Sequence, residues 1–349
     1  MTVHDNYIKR CIQLAENGLG RTYPNPVVGS VIVYNDRIIG EGWHHKAGEA
    51  HAEVNAVASV KEKSLLSKST IYVSLEPCSH YGKTPPCSNL IIDSGIKKVV
   101  IGTVDPFSEV AGKGIKKLLD AGCEVRVGVM EKECRELNRR FFTFHTKQRP
   151  YIILKWAQTA DAFLAPLPQK DAERKPVWIT NKYSQQLVHK WRAEEQSIMV
   201  GTNTAVADNP RLNTRLWKGK DPVRIVLDRK QRIPADSHLF DNSVKTIFLT
   251  ENPSPERAAE NVIFEQADFS RNLPQQVCEV LYRHEIQSVI IEGGRQTLQT
   301  FLDAGIWDEA RVFEGSIRFT EGIKAPEITG ELSYDSEITG DRLKIYRND

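Results

Sequence analysis

The sequence predicts two α/β domains in series. Its 349 residues exceed what one ordinary core organises. Short runs of β-branched residues alternate with amphipathic helical periods along most of the chain. A polar segment, Thr146-Lys147-Gln148-Arg149-Pro150, interrupts that alternation. The domains are therefore drawn at residues 1–145 and 150–349. Apolar residues make up 40% and charged residues 26%, the composition of a globular protein. Lys plus Arg number 47 against 45 Asp plus Glu, which leaves no polycationic footprint for nucleic acid. Six cysteines in this length do not make a disulfide scaffold. The start, Met-Thr-Val-His-Asp-Asn, lacks the basic and apolar regions of a signal peptide, and no apolar run approaches a membrane span. A cytoplasmic protein with neither membrane nor nucleic-acid partner is expected.

Residues 5–19 place Ile8, Cys11, Ile12, Ala15 and Leu19 on one helical face, closed by Gly18 and Gly20. Pro24-Asn25-Pro26 turns the chain into a buried strand, Val27–Tyr34. Asn35-Asp36 makes a hairpin turn, and Arg37–Trp43 returns as its partner. A helix from His51 to about Lys61 presents Ala52, Val54, Ala56, Val57 and Val60, so His51 and Glu53 fall in its first turn. The short strand Ile71–Leu75 delivers Glu76-Pro77-Cys78 at its carboxyl end, where open α/β sheets place ligands. Pro86 precedes Cys87 at the start of a helix, Ser88–Ser94. Strand Lys98–Thr103, helix Gly112–Ala121, strand Cys123–Val127 and a single helix Glu131–Phe144 complete this half. Cys11, Cys123, Cys134 and Cys278 sit in apolar periodic segments and read as small core residues.

The second half reads as strand Tyr151–Ala157, a long loop, helix Ser184–Ala193, strand Ser197–Gly201 and the segment Asn203–Asn209. Strands Val223–Asp228, Thr246–Thr250 and Ser288–Glu292 follow, then helix Thr297–Leu302. Two stretches carry chemistry. Val289 to Gly294 runs a buried strand into two glycines and a helix, where backbone N–H groups can approach phosphates. A tight turn is the other reading of the same residues. Gly201–Arg215 is rich in small and polar residues, with Arg215 available for a phosphate. Beyond Gly315 no chemical signal is evident.

His51-Ala52-Glu53, Pro77-Cys78 and Pro86-Cys87 supply one imidazole, two thiols and a carboxylate. Three protein ligands on zinc leave a fourth position open, the arrangement of a catalytic site. A nearby Glu can then move the proton of a water made acidic by the metal. A closed structural site is the alternative, but such sites show four ligands and leave Glu53 without a task. His-x-Glu followed by Pro-Cys…Cys is the signature of zinc deaminases of nucleobases. Here the two cysteines are separated by eight residues, Ser-His-Tyr-Gly-Lys-Thr-Pro-Pro, instead of two. With that insert the chain resembles the bifunctional riboflavin-biosynthesis deaminase–reductase family, whose deaminase half carries Pro-Cys-x-His-x-Gly-x-Thr-Pro-Pro-Cys.

The resemblance implies a cytidine-deaminase-like α/β/α sandwich followed by a dihydrofolate-reductase-like α/β domain, with Zn2+ and NADPH as cofactors. It implies His51, Cys78 and Cys87 as zinc ligands, Glu53 as the catalytic proton carrier, and Asn25, His44, His80, Lys83 and Asp105 as substrate contacts. Read by themselves, Asn25 is a turn residue between prolines and Lys83 an exposed loop lysine. In the second half the resemblance runs from Leu154-Lys155 through Trp178-Ile179-Thr180, Trp191-Arg192 and Gly201–Arg215 to Glu292-Gly293-Gly294. It implies NADPH contacts at Gln158, Trp178, Thr204, Asp208 and Arg229. The turn of Gly294, Arg295, Gln296, Thr297, Leu298, Gln299 and Thr300 is implied to complete that cofactor site. Arg192, Leu212, Arg215 and Glu292 would hold substrate, and Lys155 would orient its ribosyl end at the catalytic centre.

Three positions depart from the family. Thr159-Ala160-Asp161-Ala162-Phe163 stands where Ser-Leu-Asp-Gly and a basic residue are usual, so no positive φ is expected at Ala162. Pro176 replaces a substrate-binding Ser and donates no hydrogen bond. Arg229 replaces a cofactor-binding Ser and offers a guanidinium to the 2′-phosphate of NADPH. The expected protein is a two-step enzyme and a homo-oligomer (dimer or tetramer). It deaminates 2,5-diamino-6-(5-phosphoribosylamino)pyrimidin-4(3H)-one, then reduces the ribosyl group to ribityl with NADPH. A deaminase whose second half binds without reducing is one rival. A zinc-stabilised RNA-binding module is another, opposed by the even charge and by Glu53.

Overall fold

The computed structural model describes residues 2–79, 85–107, 111–167 and 177–348. The chain divides into two compact units, Met1–Gln148 and Arg149–Asp349.

The first unit opens with α1 (Val3–Ala15), capped by Thr2 and Asp5 in a reciprocal capping box. Strands β1 (Gly29–Tyr34) and β2 (Arg37–Trp43) form the predicted hairpin, followed by α2 (Ala52–Ser59) and β3 (Thr70–Leu75). Then come α3 (Cys87–Asp93), β4 (Lys98–Thr103), α4 (Lys113–Asp120), β5 (Glu124–Val127), α5 (Glu131–Leu137) and α6 (Arg139–Lys147). The sheet order is β2-β1-β3-β4-β5, with β3, β4 and β5 parallel and β1 antiparallel to both its neighbours. Side-chain alternation along the strands builds two apolar layers. Val31, Val33, Tyr72 and Val100 pack on Ile8, Cys11 and Leu14 of α1 and Cys134 of α5. Ile32, Ile71, Val73, Val99 and Ile101 pack on Ala56 of α2, Ile91 of α3 and Leu118 of α4. An α/β/α sandwich results.

The single helix expected over 131–144 is instead two helices that meet at Asn138. Periodicity runs through this residue, but its carboxamide is committed elsewhere. Its Oδ1 accepts the Val27 N–H at 2.9 Å and its Nδ2 donates to the Val27 carbonyl at 2.9 Å. Two buried bonds to one distant residue outweigh a continuous helix, in which Asn has no intrinsic preference. The second helix then extends to Lys147, beyond the boundary drawn at residue 145.

The second unit is built on nine strands in the order β11-β10-β9-β8-β12-β6-β13-β16-β15. In chain order these begin with β6 (Tyr151–Gln158), the short β7 (Phe163–Ala165) outside the main sheet, α7 (Lys182–Glu194), β8 (Ser197–Gly201) and α8 (Thr202–Asp208). β9 (Val223–Leu227), β10 (Thr246–Thr250), β11 (Val262–Gln266), α9 (Leu273–Arg283), β12 (Ser288–Ile291) and α10 (Arg295–Asp303) follow. β13 (Glu309–Glu314), β14 (Ile323–Lys324, paired with β7) and the hairpin β15 (Glu331–Ile338) and β16 (Asp341–Arg347) complete it. Strands β11 through β13 are parallel, and β16 joins β13 antiparallel. One face packs Ile152, Leu154, Met199, Ile225 and Val289 on Val277 and Leu281 of α9 and on Leu298 and Phe301 of α10. The other packs Ile153, Ile290 and Phe313 on Val188 and Trp191 of α7. Cys11, Cys123, Cys134 and Cys278 are all buried, as small core residues should be. Among the described residues no helix is long and apolar enough to cross a membrane.

Candidate active sites

In the first unit three elements converge. His51 is the N-cap of α2, with extended backbone (φ −72°, ψ 166°), rather than a residue of its first turn. Glu53 does lie in that turn and is 3% exposed. The end of β3 delivers Cys78, and α3 begins at Cys87. His51 Nδ1 lies 3.6 Å from Cys78 Sγ and 3.3 Å from Cys87 Sγ. All three donor atoms fall within 4.8 Å of one another, the one such cluster of three among the described residues. Tetrahedral zinc, with bonds of about 2.0–2.3 Å to N and S, sets its ligand atoms about 3.5–3.8 Å apart. The donor set therefore fits zinc in both chemistry and spacing.

Electrostatics of the cluster favour a thiolate at Cys78. The Cys87 N–H, at the start of α3, donates to Cys78 Sγ at 3.3 Å. The Cys78 thiol is pushed down to about 4, first by its hydrogen bond with the Cys87 thiol and then by His51. Cys87 is pushed up by that same bond and by burial. Burial raises the Glu53 carboxyl to about 7, with the charge of Cys78 adding to the effect. A carboxyl so placed exchanges protons near neutral pH.

Two of the predicted substrate contacts, His44 and Asn25, lie beside this cluster. His44 is buried, its ring 5.2 Å from that of His51. Its Nδ1 is 3.1 Å from the Ala50 carbonyl and its Nε2 3.1 Å from Asn25 Nδ2. A carbonyl only accepts, so Nδ1 carries the proton and Nε2 accepts from the Asn25 amide. Burial holds the His44 imidazole below its ordinary pKa, consistent with that neutral tautomer. Asn25 is thus more than a turn residue. Asp105 follows β4, is 8% exposed, and accepts the Phe107 N–H at 2.8 Å. His80 and Lys83 lie outside the described residues.

In the second unit the carboxyl ends of parallel strands gather the predicted residues along one edge. Gln158 ends β6, Gly201 ends β8, Arg229 follows β9, and Glu292 to Gly294 follow β12. Ile291 pairs with Leu154 in the ladder, which sets Glu292 beside Lys155. Arg192 of α7 closes on Glu292 with two bonds, 3.1 and 2.7 Å, while Lys155 Nζ stands 3.9 Å from it. Burial raises the Glu292 carboxyl, but Arg192 and Lys155 bring it down to about 2. Burial pushes the Lys155 ammonium down. Arg192 also donates to the Asn213 carbonyl at 3.2 Å, next to the buried Leu212 and the exposed Arg215.

Gly294 caps α10 at φ +67° without any side-chain cap, so the first N–H groups of that helix are offered to a ligand. A Cβ at Gly294 would lie 3.2 Å from Thr204 Oγ1, which puts α8 against the same turn. This fits the phosphates of NADPH. Several other predicted contacts have partners within the fold or lie exposed. Leu298 lies in the core with its N–H bonded to the Gly294 carbonyl. Gln299 bonds Asp303 and the Glu327 N–H. Arg229 is bound to Glu251 at 2.7 Å. Trp178 and Asp208 are exposed, Trp178 at 62%.

Two features depart from the sequence reading. Ala162 has φ +63°, against the expectation of no positive φ there. Its N–H bonds the Thr159 carbonyl and its own carbonyl accepts from Ala325, both at 2.9 Å, so pairing dictates the turn whatever residue occupies it. Pro176 lies outside the described residues. His189, which sequence reasoning did not single out, is 4% exposed on α7, and burial followed by the charges of Arg192 and Arg215 pushes its imidazole down to about 4. Its position three residues before Arg192, on the same helical face, is the signal that would have found it.

Comparison with known proteins agrees with this architecture. Residues 1–103 match the family model of the cytidine and deoxycytidylate deaminase zinc-binding region, and residues 150–327 match that of the RibD C-terminal domain. The riboflavin biosynthesis protein RibD of Aquifex aeolicus is 42% identical, over 98% of this chain and 95% of that protein. A crystal structure from Thermotoga maritima, named as a diaminohydroxyphosphoribosylaminopyrimidine deaminase and 5-amino-6-(5-phosphoribosylamino)uracil reductase, is 37% identical. It superposes with a TM-score of 0.89 over 99% of this chain and 98% of its own. RibD of Acinetobacter baumannii is 31% identical with a TM-score of 0.89 over the same shares. The chain therefore belongs to the RibD family of bifunctional riboflavin-biosynthesis enzymes, with a zinc-dependent deaminase in its first half and an NADPH-dependent reductase in its second.

Proposed function

We propose that the first unit releases the amino group of 2,5-diamino-6-(5-phosphoribosylamino)pyrimidin-4(3H)-one as ammonia, and that the second reduces the ribosyl group of the product to ribityl. The observation that carries this reading is the convergence of His51, Cys78 and Cys87 within 4.8 Å beside the buried Glu53 carboxyl. Zinc, when bound, supplies a Lewis acid that makes water nucleophilic near neutral pH. Glu53 would take the first proton of the water and give it to the ring nitrogen. It would then carry the second, from the hydroxyl added to the ring carbon, to the amine that leaves as ammonia, a task suited to a buried carboxyl beside the cluster. Asn25, with its Nδ2 given to His44, turns a carbonyl acceptor towards an N–H of the substrate ring. Asp105 holds the substrate from the end of β4.

NADPH, when bound, supplies the hydride in the second unit. Gly294 and the N–H groups that open α10 take its phosphates, with Thr204 and Asp208 alongside. Arg192 and Arg215 suit the substrate phosphate, since guanidinium pairs with phosphate in two-point contacts. Lys155, less basic than usual through burial, orients the ribosyl end, and Glu292 fixes Arg192 and Lys155 in place. A cytoplasmic homo-oligomer, dimer or tetramer, acting on a small molecule and on no nucleic acid belongs to the same reading. Family membership and the even balance of 47 basic against 45 acidic residues support it.

The test separates the steps. Glu53→Gln keeps its size but cannot accept the proton, so deamination falls by about 10²–10⁴-fold with zinc retained. The same variant, given the deaminated substrate and NADPH, reduces it at the wild-type rate. Asp208→Ala does the reverse. Ammonia release and NADPH absorbance read the two steps. Loss of both activities in a folded Glu53→Gln protein would replace two independent sites with one shared site.

A further inference from the structure

Glu76 is buried at the end of β3, 4% exposed, two residues before a zinc ligand, and has no part in the chemistry described above. Its carboxylate accepts four backbone N–H groups. Oε2 takes those of Asp105 at 3.3 Å and Gly112 at 3.0 Å, and Oε1 takes those of Gly114 at 2.9 Å and Ile115 at 3.2 Å. Gly112, the N-cap of α4, provides no side-chain cap, so Glu76 satisfies the start of that helix from 36 to 39 residues away in sequence. The Glu76 N–H in turn donates to the Thr103 carbonyl at 3.0 Å, which ties the ends of β3 and β4 together. Contact on the far side is equally close. A Cβ at Gly114 would lie 2.0 Å from the Pro77 carbonyl oxygen, so α4 sits directly on the Glu76-Pro77 backbone.

We propose that Glu76 is a positioning residue for deamination: its carboxylate sets the backbone of Asp105 and the start of α4 against the Pro77-Cys78 segment. A carboxylate offers two acceptor oxygens and no donor to these four N–H groups. Gln presents one carbonyl oxygen, and its amide N–H groups face donors already there. The Asp105 N–H, held by the longest of the four bonds, is the first to be released. This inference rests on the reading of Asp105 as a substrate contact, and it assigns to Glu76 a binding effect exerted through that residue.

The experiment uses the full-length zinc-loaded protein and the Glu76→Gln variant. The expected result is a KM for the diaminopyrimidine substrate raised by about tenfold with kcat nearly unchanged, the mark of lost ground-state binding. Zinc content stays at about one per chain, and NADPH-dependent reduction of the deaminated substrate stays at the wild-type rate. A cycle with Asp105→Asn tests the route: the two KM effects should fall well short of multiplying, because both act through one contact. Wild-type KM in Glu76→Gln, with KM raised in Asp105→Asn, overturns the role of Glu76 alone. Wild-type KM in Asp105→Asn overturns both readings, and fully multiplying effects overturn the route through Asp105. If Glu76→Gln does not fold, amide exchange on the wild-type protein decides. The N–H groups of Asp105, Gly112, Gly114 and Ile115 should then be protected like those of β4, and exchange of the Asp105 N–H at the rate of an open loop overturns the proposal.

Discussion

Replacing Glu292 by Gln tests how the buried charges of the second unit are balanced. In the folded protein the carboxylate meets Arg192 at 2.7 Å and Lys155 at 3.9 Å, with 10% of its side chain exposed. Its pKa falls from 4.5 to about 2. That depression corresponds to roughly 3 kcal/mol of stability at pH 7. The figure agrees with the roughly 3–5 kcal/mol lost when one partner of a buried pair is removed. Lys155, already disfavoured by burial, loses its compensating charge in the same variant. The sign of the pH dependence follows from a folded pKa below the unfolded one. The contribution is complete above about pH 5, falls to about half at pH 3, and vanishes below about pH 2. Urea unfolding followed by tryptophan fluorescence reports on this unit, since five of the six tryptophans lie beyond Arg149. Glu292→Gln should lose roughly 3 kcal/mol at pH 7 and about half of that at pH 3, with deamination intact. Equal stability at pH 7, or a gap that does not narrow between pH 7 and pH 3, would refute the argument.

Gly294→Val places a branched side chain at φ +67° and against Thr204 Oγ1, so NADPH affinity should fall by about tenfold or more with deamination unchanged. Fluorescence titration checks this, and unaltered affinity would remove the turn from the cofactor site. Ala162→Gly relieves a left-handed alanine at φ +63° and should stabilise the second unit by about 1 kcal/mol, after the entropy cost of glycine is subtracted. The urea midpoint measures it, and a lower midpoint would mean that the turn is not strained.

Local pattern decided much of this molecule. The strands of the first unit were legible because Val31, Ile32 and Val33, or Val99, Val100 and Ile101, fill both faces of a covered sheet with β-branched residues. The zinc cluster was legible because its chemistry needs one imidazole, two thiols and a carboxylate, and few sequences bring these together by chance. Buried cysteines outside the cluster announced themselves by helical or strand period. The hairpin β15–β16 was less legible: Leu332, Tyr334 and Ile338 of β15 do alternate with polar residues, but Leu332 and Tyr334 stay exposed, so the pattern marks no buried face.

What sequence by itself determined were the two α/β units, the convergent trio His51, Cys78 and Cys87, and the glycine turn before α10, all read from short segments. Tertiary structure alone decided which distant groups meet. The helix break at Asn138 depends on Val27, 111 residues away. The pairing of Lys155 with Glu292 depends on the register of β12 against β6. The left-handed Ala162 is imposed by its bonds to Thr159 and Ala325. Each concerns a polar group whose partner lies on another element. A backbone period reports which face of a segment is apolar, but it holds no record of which carboxylate, amide or carbonyl a buried donor will find once the layers close.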